Sequence, residues 1–165
     1  MDYKIALMED NDWEQVRSIY LEGIATNNAT FETVAPSLEE WKSRHIPECS
    51  IVARMDKTIW GWAALSPVSH RRVYQGVGEV SIYVGENYRG FGLGSVLLSN
   101  LIEISEKSGF WTLQAAIFPE NHASITIHKK QGFREIGIRE RLGKLNGVWR
   151  DIILLERRSE IGGVE

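Results

Sequence analysis

The chain has 165 residues, 43% of them hydrophobic and 25% charged, with a formal net charge of −3. That is enough for one globular domain with a real core and too little for two full ones. The charge balance, without a long Lys/Arg stripe, argues against nucleic-acid binding, and no apolar run approaches the roughly 20 residues of a membrane span.

The opening MDYKIALMED alternates and reads as a strand over residues 3–8 rather than a signal peptide, so a soluble, cytoplasmic protein is expected. NDWEQVRSIYLEGIATN follows as a helix. Asn11 and Glu14 form a capping-box pattern, and Trp13, Val16, Ile19 or Tyr20, and Ile24 mark one face. NATFETVAPS is a polar stretch carrying Phe31 and Glu32, and Ser37 with Glu40 caps a short second helix through about His45. SIVARMDKTIWGWAALSPV reads as two strands turning near Asp56–Lys57. Cys49, the only cysteine, stands at the entrance of the first of these. It is expected to be a small buried hydrophobe, which leaves neither an intrachain disulfide nor a cysteine metal cluster.

SHRRVYQGVG is a loop and EVSIYV a strong strand, begun by Glu79. Gly90, Gly92 and Gly94 then lead into a helix from Ser95 that stops at Gly109. WTLQAAIF is a further strand, and NHASITIHKKQG a helix ending at Gly132. Two long strands close the chain around an Asn146–Gly147 turn, and residues 159–165 read as a flexible C-terminal tail. This order predicts one α/β domain over residues 1–158, with a mixed sheet and helices on both faces.

Three glycines at the mouth of a helix call for an explanation, because a plain strand-to-helix turn needs one. A helix start presents unpaired N–H groups and partial positive charge, and glycine lets backbone approach an anion closely. Arg89 adds charge and paired donors. A phosphate is the expected ligand. The nucleotide P-loop ending of Gly-Lys-Ser/Thr fails, since Ser95 follows Gly94 directly. The dinucleotide fingerprint fails at its sixth place, which is again Ser95.

RGFGLG resembles the Arg/Gln-x-x-Gly-x-Gly/Ala loop of the GCN5-related N-acetyltransferase superfamily, which binds the pyrophosphate of acetyl-CoA. NHASITIHKKQGF is similar to a second segment of that family, with Asn121, Ser124, Ile127, Gly132 and Phe133 in register. The resemblance implies a central, mixed, mostly antiparallel twisted sheet. It also implies an acetyl-CoA site made by Ile82, Tyr83 and Val84, by the loop Arg89, Gly90, Phe91, Gly92, Leu93, Gly94 and Ser95, and by Asn121 and Ser124. The superfamily's usual tyrosine is His128 here. That change, with TFE at residues 30–32, RRVYQGVGEVSIYV and NGVWRD, resembles the phosphinothricin and methionine sulfoximine acetyltransferase subgroup. The subgroup implies Glu79 and His128 as the catalytic pair, an arginine at Arg71 holding an acidic substrate, and a homodimer. Arg72 is expected to share that task, with Phe31 and Glu32 shaping the amine side.

The chemistry is consistent with these residues. A free α-amino group is mostly protonated at neutral pH, so a base must collect its proton. A solvated carboxylate is a weak base there, so Glu79 is expected to sit partly away from water. His128 is expected as acid for the departing thiolate, as base, or as a proton relay. Backbone N–H groups near Val84 would polarise the thioester carbonyl. Cys49 lies outside every matched motif, so direct attack by the amine is expected, with no metal. Other readings are transfer to another small amine and a non-catalytic acyl-CoA-binding sensor.

Overall fold

A computed structural model describes residues 2–164. Seven strands form one sheet in the order β1-β2-β3-β4-β5-β7-β6. They are β1 (Lys4–Leu7), β2 (Ser50–Met55), β3 (Thr58–Pro67), β4 (Val77–Val84), β5 (Thr112–Ile117), β6 (Arg134–Leu145) and β7 (Val148–Arg158). Every neighbouring pair is antiparallel except β4 and β5. The helices are α1 (Trp13–Ala25), α2 (Leu38–Arg44), α3 (Leu93–Lys107) and α4 (His122–Lys130). The mixed, mostly antiparallel sheet with helices on both faces is as expected.

Alternation along the strands divides the interior in two. Ile51, Ala53, Ala63, Leu65 and Val80 join Leu97, Leu98 and Leu101 of α3 in one core. Val52, Ile59, Trp62 and Ala64 face the other way, onto Val16 and Ile19 of α1 and Trp41 of α2. Cys49 is fully buried beneath α3, as a small hydrophobe. Gly109 and Gly132 follow their helices with φ of 92°, and Asn146–Gly147 turns the last hairpin with φ of 49° and 81°.

Three boundaries move. The Asn11–Glu14 capping box does not form: residues 10–12 make a 3-10 turn, and α1 starts at Trp13. The Asp12 carboxylate instead accepts the Glu9 N–H at 2.8 Å and a two-pronged ion pair from Arg54, at 2.6 and 2.8 Å. Burial pushes the Asp12 carboxyl up, and these hydrogen bonds outweigh it, holding it below its ordinary value. A tertiary partner on β2 thus claims the acid that local pattern assigned elsewhere. Strand β4 begins at Val77, so Glu79 is its third residue, and α3 begins at Leu93, two residues early. Beyond β7, Ser159 is buried; its N–H donates to the Trp111 carbonyl, and its hydroxyl meets the Glu106 carboxylate.

Candidate active site

The site lies where the sheet comes apart. Strands β4 and β5 pair only over Val77–Glu79 and Thr112–Gln114. On its other side β4 pairs with β3 from Gly78 to Val84. Gly85 N–H donates to the Trp60 carbonyl and Val68 N–H to the Val77 carbonyl, which fixes the phase of that ladder. Odd-numbered residues of β4 therefore bond to β3, and the N–H and C=O groups of Ile82 and Val84 point toward the gap. Backbone groups without a strand partner are what an extended ligand can use.

Two cavities fill this gap. An outer cleft of about 340 Å³ runs past Ile82 and Val84 to Tyr88, Arg89, Gly90, Gly92, Leu93 and Gly94. An inner cavity of about 250 Å³ reaches Glu79, Ser81, Thr30 and Phe31, with a floor from Ala115 to Phe118. They share Ile82, Asn121, Ser124 and His128.

In the glycine loop, Gly90 and Gly92 have φ of 85° and 82°, in the left-handed region that glycine tolerates. Gly92 caps α3 with no side-chain hydrogen bond. The first N–H groups of that helix thus meet the outer cleft without a side-chain cap, and the aligned peptide dipoles favour an anion there. Gly94 has a different reason: a Cβ on it would stand 3.2 Å from Ile127 Cδ1, so it allows α3 to approach α4. Arg89 Nε donates to the Val84 carbonyl at 3.2 Å, folding the loop back on β4. This geometry fits a pyrophosphate at the helix mouth and an amide-bearing arm along β4.

Glu79 is half-buried, and its Oε1 accepts from Gln114 Nε2 at 2.8 Å across the last paired rung. His128, on α4, is 4% exposed. Its Nδ1 lies 2.7 Å from the Ser124 carbonyl, an acceptor only, so Nδ1 carries the hydrogen. Nε2 is then a bare acceptor, and it has no hydrogen-bond partner among the described residues. Burial pushes the His128 pKa below its ordinary value, against the opposing effect of the Ser124 carbonyl. The imidazole at the junction of the two cavities is therefore neutral at neutral pH.

Not every expected residue lines the cavities. Asn121 does, but its side chain is already used: Oδ1 caps α4 at Ser124 N–H, and Nδ2 donates to the Asn28 carbonyl. Tyr83 lines the inner cavity rather than the outer cleft, with its ring stacked on Trp62. Phe91, within the loop, is exposed, and the Ser95 carbonyl accepts from Gln131. Glu32, Arg71 and Arg72 are exposed and line neither cavity; Arg71 rests over the Tyr74 ring. Sequence reasoning missed Leu142, Ile152 and the Ala115–Phe118 floor, whose lining role depends on strand pairing far along the chain. Among the described residues, no three His, Cys, Asp or Glu side chains gather to hold a metal ion.

Comparison with known proteins agrees with this geometry. Residues 12–133 match the acetyltransferase (GNAT) family. The YwnH protein of Bacillus subtilis (strain 168) is 32% identical over 158 residues, spanning 93% of this chain and 97% of that one. An L-methionine sulfoximine/L-methionine sulfone acetyltransferase of Pseudomonas aeruginosa is 37% identical over 83 residues, 50% of this chain and 48% of the relative. The solved structure of a phosphinothricin acetyltransferase from Sinorhizobium meliloti in complex with AcCoA is similar at a TM-score of 0.88 and 28% identity. That likeness covers 100% of this chain and 92% of the other.

Proposed function

The chain belongs to the acetyltransferase (GNAT) family, and on that premise we propose that it acetylates the amine of a small acidic amino-acid analogue. Phosphinothricin, methionine sulfoximine and methionine sulfone are the acceptors favoured, by the names of its relatives. The observation that carries the reading is the meeting of two cavities at Ile82, Asn121, Ser124 and His128. One has the groups to hold acetyl-CoA, and the other has room for a small amine.

In this reading the coenzyme A pyrophosphate sits on the open N–H groups of α3, beside Arg89. The pantetheine arm runs along Ile82 and Val84, where the outward groups of Ile82 and the Val84 N–H bond its amides, and one N–H polarises the thioester carbonyl. The acceptor enters the inner cavity as an ammonium ion and gives a proton to Glu79, directly or through a water. The neutral nitrogen then attacks the carbonyl carbon, forming the C–N bond; the C–S bond breaks, coenzyme A leaves as a thiolate, and the extra proton on nitrogen passes to that sulfur, directly or through His128. His128, neutral with Nε2 bare, is suited to receive a proton rather than supply one. That supports a relay or base role over that of a resting acid.

Arg71 and Arg72, on the exposed loop leading into β4, attract the acidic head from outside the lining. The enzyme works in the cytoplasm as a homodimer, for which the exposed Ile138 and Trp149, on one face of the last hairpin, offer apolar surface. Capping the amine of a toxic analogue would confer resistance to it.

The test is thiol release from acetyl-CoA against phosphinothricin, methionine sulfoximine, methionine sulfone, glutamate, methionine, a polyamine and a lysine peptide. Strong turnover of the first three is expected. Turnover confined to the others sinks the substrate assignment, and none at all with acetyl-CoA still bound points to a sensor.

A further inference from the structure

Two segments far apart in sequence wall the inner cavity, and both depart from regular backbone. In β6 the register runs from Arg139 opposite Ile152 to Gly143 opposite Arg150, so residues 140–142 stand against Asp151 alone. Arg141, in the middle of this bulge, has φ of 46°, a left-handed conformation rare for a residue with a side chain. Its N–H donates to Asp151 Oδ1 at 2.8 Å. The next residue, Leu142, lines the cavity. At Gly143 an added Cβ would stand 3.1 Å from Phe31 Cε1, so the bulge also seats the opposite wall.

That opposite wall is Ala29, Thr30 and Phe31, in the loop after α1. It starts at Asn27, again left-handed with φ of 55°. Arg150 holds it, with one nitrogen on the Asn27 carbonyl at 2.7 Å and the other on Asn28 Oδ1 at 3.3 Å. The second nitrogen also reaches Glu120 Oε2 at 3.1 Å, and the guanidinium lies 4.0 Å over the Phe118 ring. Neither Arg150 nor Asp151 lines the cavity. They are consecutive on β7, so alternation sends their side chains to opposite faces. Each reaches one wall.

We propose that Arg150 and Asp151 are positioning residues that fix the two walls of the acceptor cavity and thereby restrict it to a compact amino-acid-sized amine. The proposal rests on the acetyl-transfer reading for its substrate and on the bulge and loop geometry for its mechanism. Bulges beside sites re-aim side chains, and backbone strain persists where surrounding contacts over-determine it. The Asp151 carboxylate is such a contact: Arg141 has no partner in the β6–β7 ladder, so without that carboxylate its left-handed backbone is no longer held and Leu142 is released. Arg150 does the same for Phe31, through a fork that lysine cannot reproduce.

The experiment compares Asp151→Ala, Asp151→Asn, the double variant Asp151→Ala with Arg141→Gly, and Arg150→Lys. Kinetics use the amine that the wild type acetylates best and a bulkier analogue, and hydrogen exchange follows the amides of residues 27–31 and 139–143. In Asp151→Ala the acceptor KM is expected to rise about tenfold, the scale of one lost charge-assisted hydrogen bond. The KM for acetyl-CoA stays put, preference shifts toward the bulkier amine, and exchange at 140–142 quickens. Asp151→Asn retains an acceptor oxygen and stays near wild type. Adding Arg141→Gly to Asp151→Ala restores acceptor KM, because glycine adopts the left-handed backbone freely. Arg150→Lys quickens exchange at 27–31 instead. Unchanged exchange in Asp151→Ala and Arg150→Lys overturns the proposal, as does a shift of both KM values together. If the wild type turns over no amine, the function reading fails on its own, and the exchange data still decide whether the two residues hold the walls.

Discussion

The two sides of β4 are built on opposite principles. Toward β3 the strand is paired from Gly78 to Val84, and residues behind it fill continuous cores against α1, α2 and α3. Toward β5 it is paired for three residues and then released. On the paired side the demanding polar groups are met within the protein: Asp12 by Arg54, and the Gln15 amide by Ile59 N–H and the Lys57 carbonyl. On the open side more are left over: the outward backbone of Ile82, the Val84 N–H, the start of α3, and His128 Nε2, which has no partner among the described residues. Left-handed residues divide similarly. Asp56 and Asn146 turn hairpins, whereas Asn27 and Arg141 stand in the segments that carry the cavity walls. A fold that satisfies its own polar groups almost everywhere marks its site by the place where it stops doing so. Trp62 Nε1, on the paired side, and Thr112 Oγ1 are exceptions: both are buried without partners among the described residues, and nothing around them explains it.

The contrast breaks first if the open side proves chemically inert. Glu79→Gln preserves size and the contact to Gln114 but cannot accept a proton. The expected loss in kcat at neutral pH is about 100-fold or more, with acetyl-CoA affinity by calorimetry unchanged. An undiminished kcat would remove Glu79 as the base and leave the cavity without one on its β4 wall.

The paired side makes the complementary prediction. Removing one partner of a buried ion pair strands the other, which costs about 3 kcal/mol. Asp12 is 4% exposed in its side chain and Arg54 27%. Asp12→Ala should therefore lower urea stability by about that amount, while kcat and both KM values of the folded fraction hold. A change in acceptor KM would show that the two sides are not independent.

The division also explains what was legible in the sequence. The glycine loop could be read because its chemistry is local: backbone freedom, a helix start and an arginine within seven residues. Strands β2 and β3 and the turn between them at Asp56–Lys57 could be read for the same reason. The Asn11–Glu14 cap misled because the partner that decides Asp12, Arg54, lies 42 residues away. Gly94 looks like its two neighbours, yet only the meeting of α3 with Ile127 of α4 reveals that it serves packing. The inner cavity was hardest. Its floor is an ordinary apolar strand, and its far wall depends on a bulge whose one local trace is Gly143. NGVWRD stood out as a pattern, but the reach of Arg150 and Asp151 to opposite walls needs the sheet.

The smallest expected effect uses one histidine from each side. His45, stacked on Trp41 at 4.0 Å with Nδ1 on the Trp41 carbonyl, and His128, bonded in the same way to Ser124, both have pKa values lowered chiefly by burial. In the unfolded chain each titrates near pH 6.5. As pH falls below about 6.5, the unfolded state binds protons that the folded state refuses. The stability these groups contribute is thus whole above that pH and declines as it drops toward the folded values. Urea midpoints from pH 7.5 downward should fall in the wild type, and less steeply in His45→Gln and in His128→Gln. The two variants should part on activity. His45→Gln belongs to the closed core and should leave the acid limb of kcat/KM where it was. His128→Gln should lower kcat/KM and alter that limb, because it removes the one imidazole that lines both cavities among the described residues. If both variants keep the wild-type limb, His128 is a core residue like His45, and proton handling in the cleft belongs to Glu79 alone.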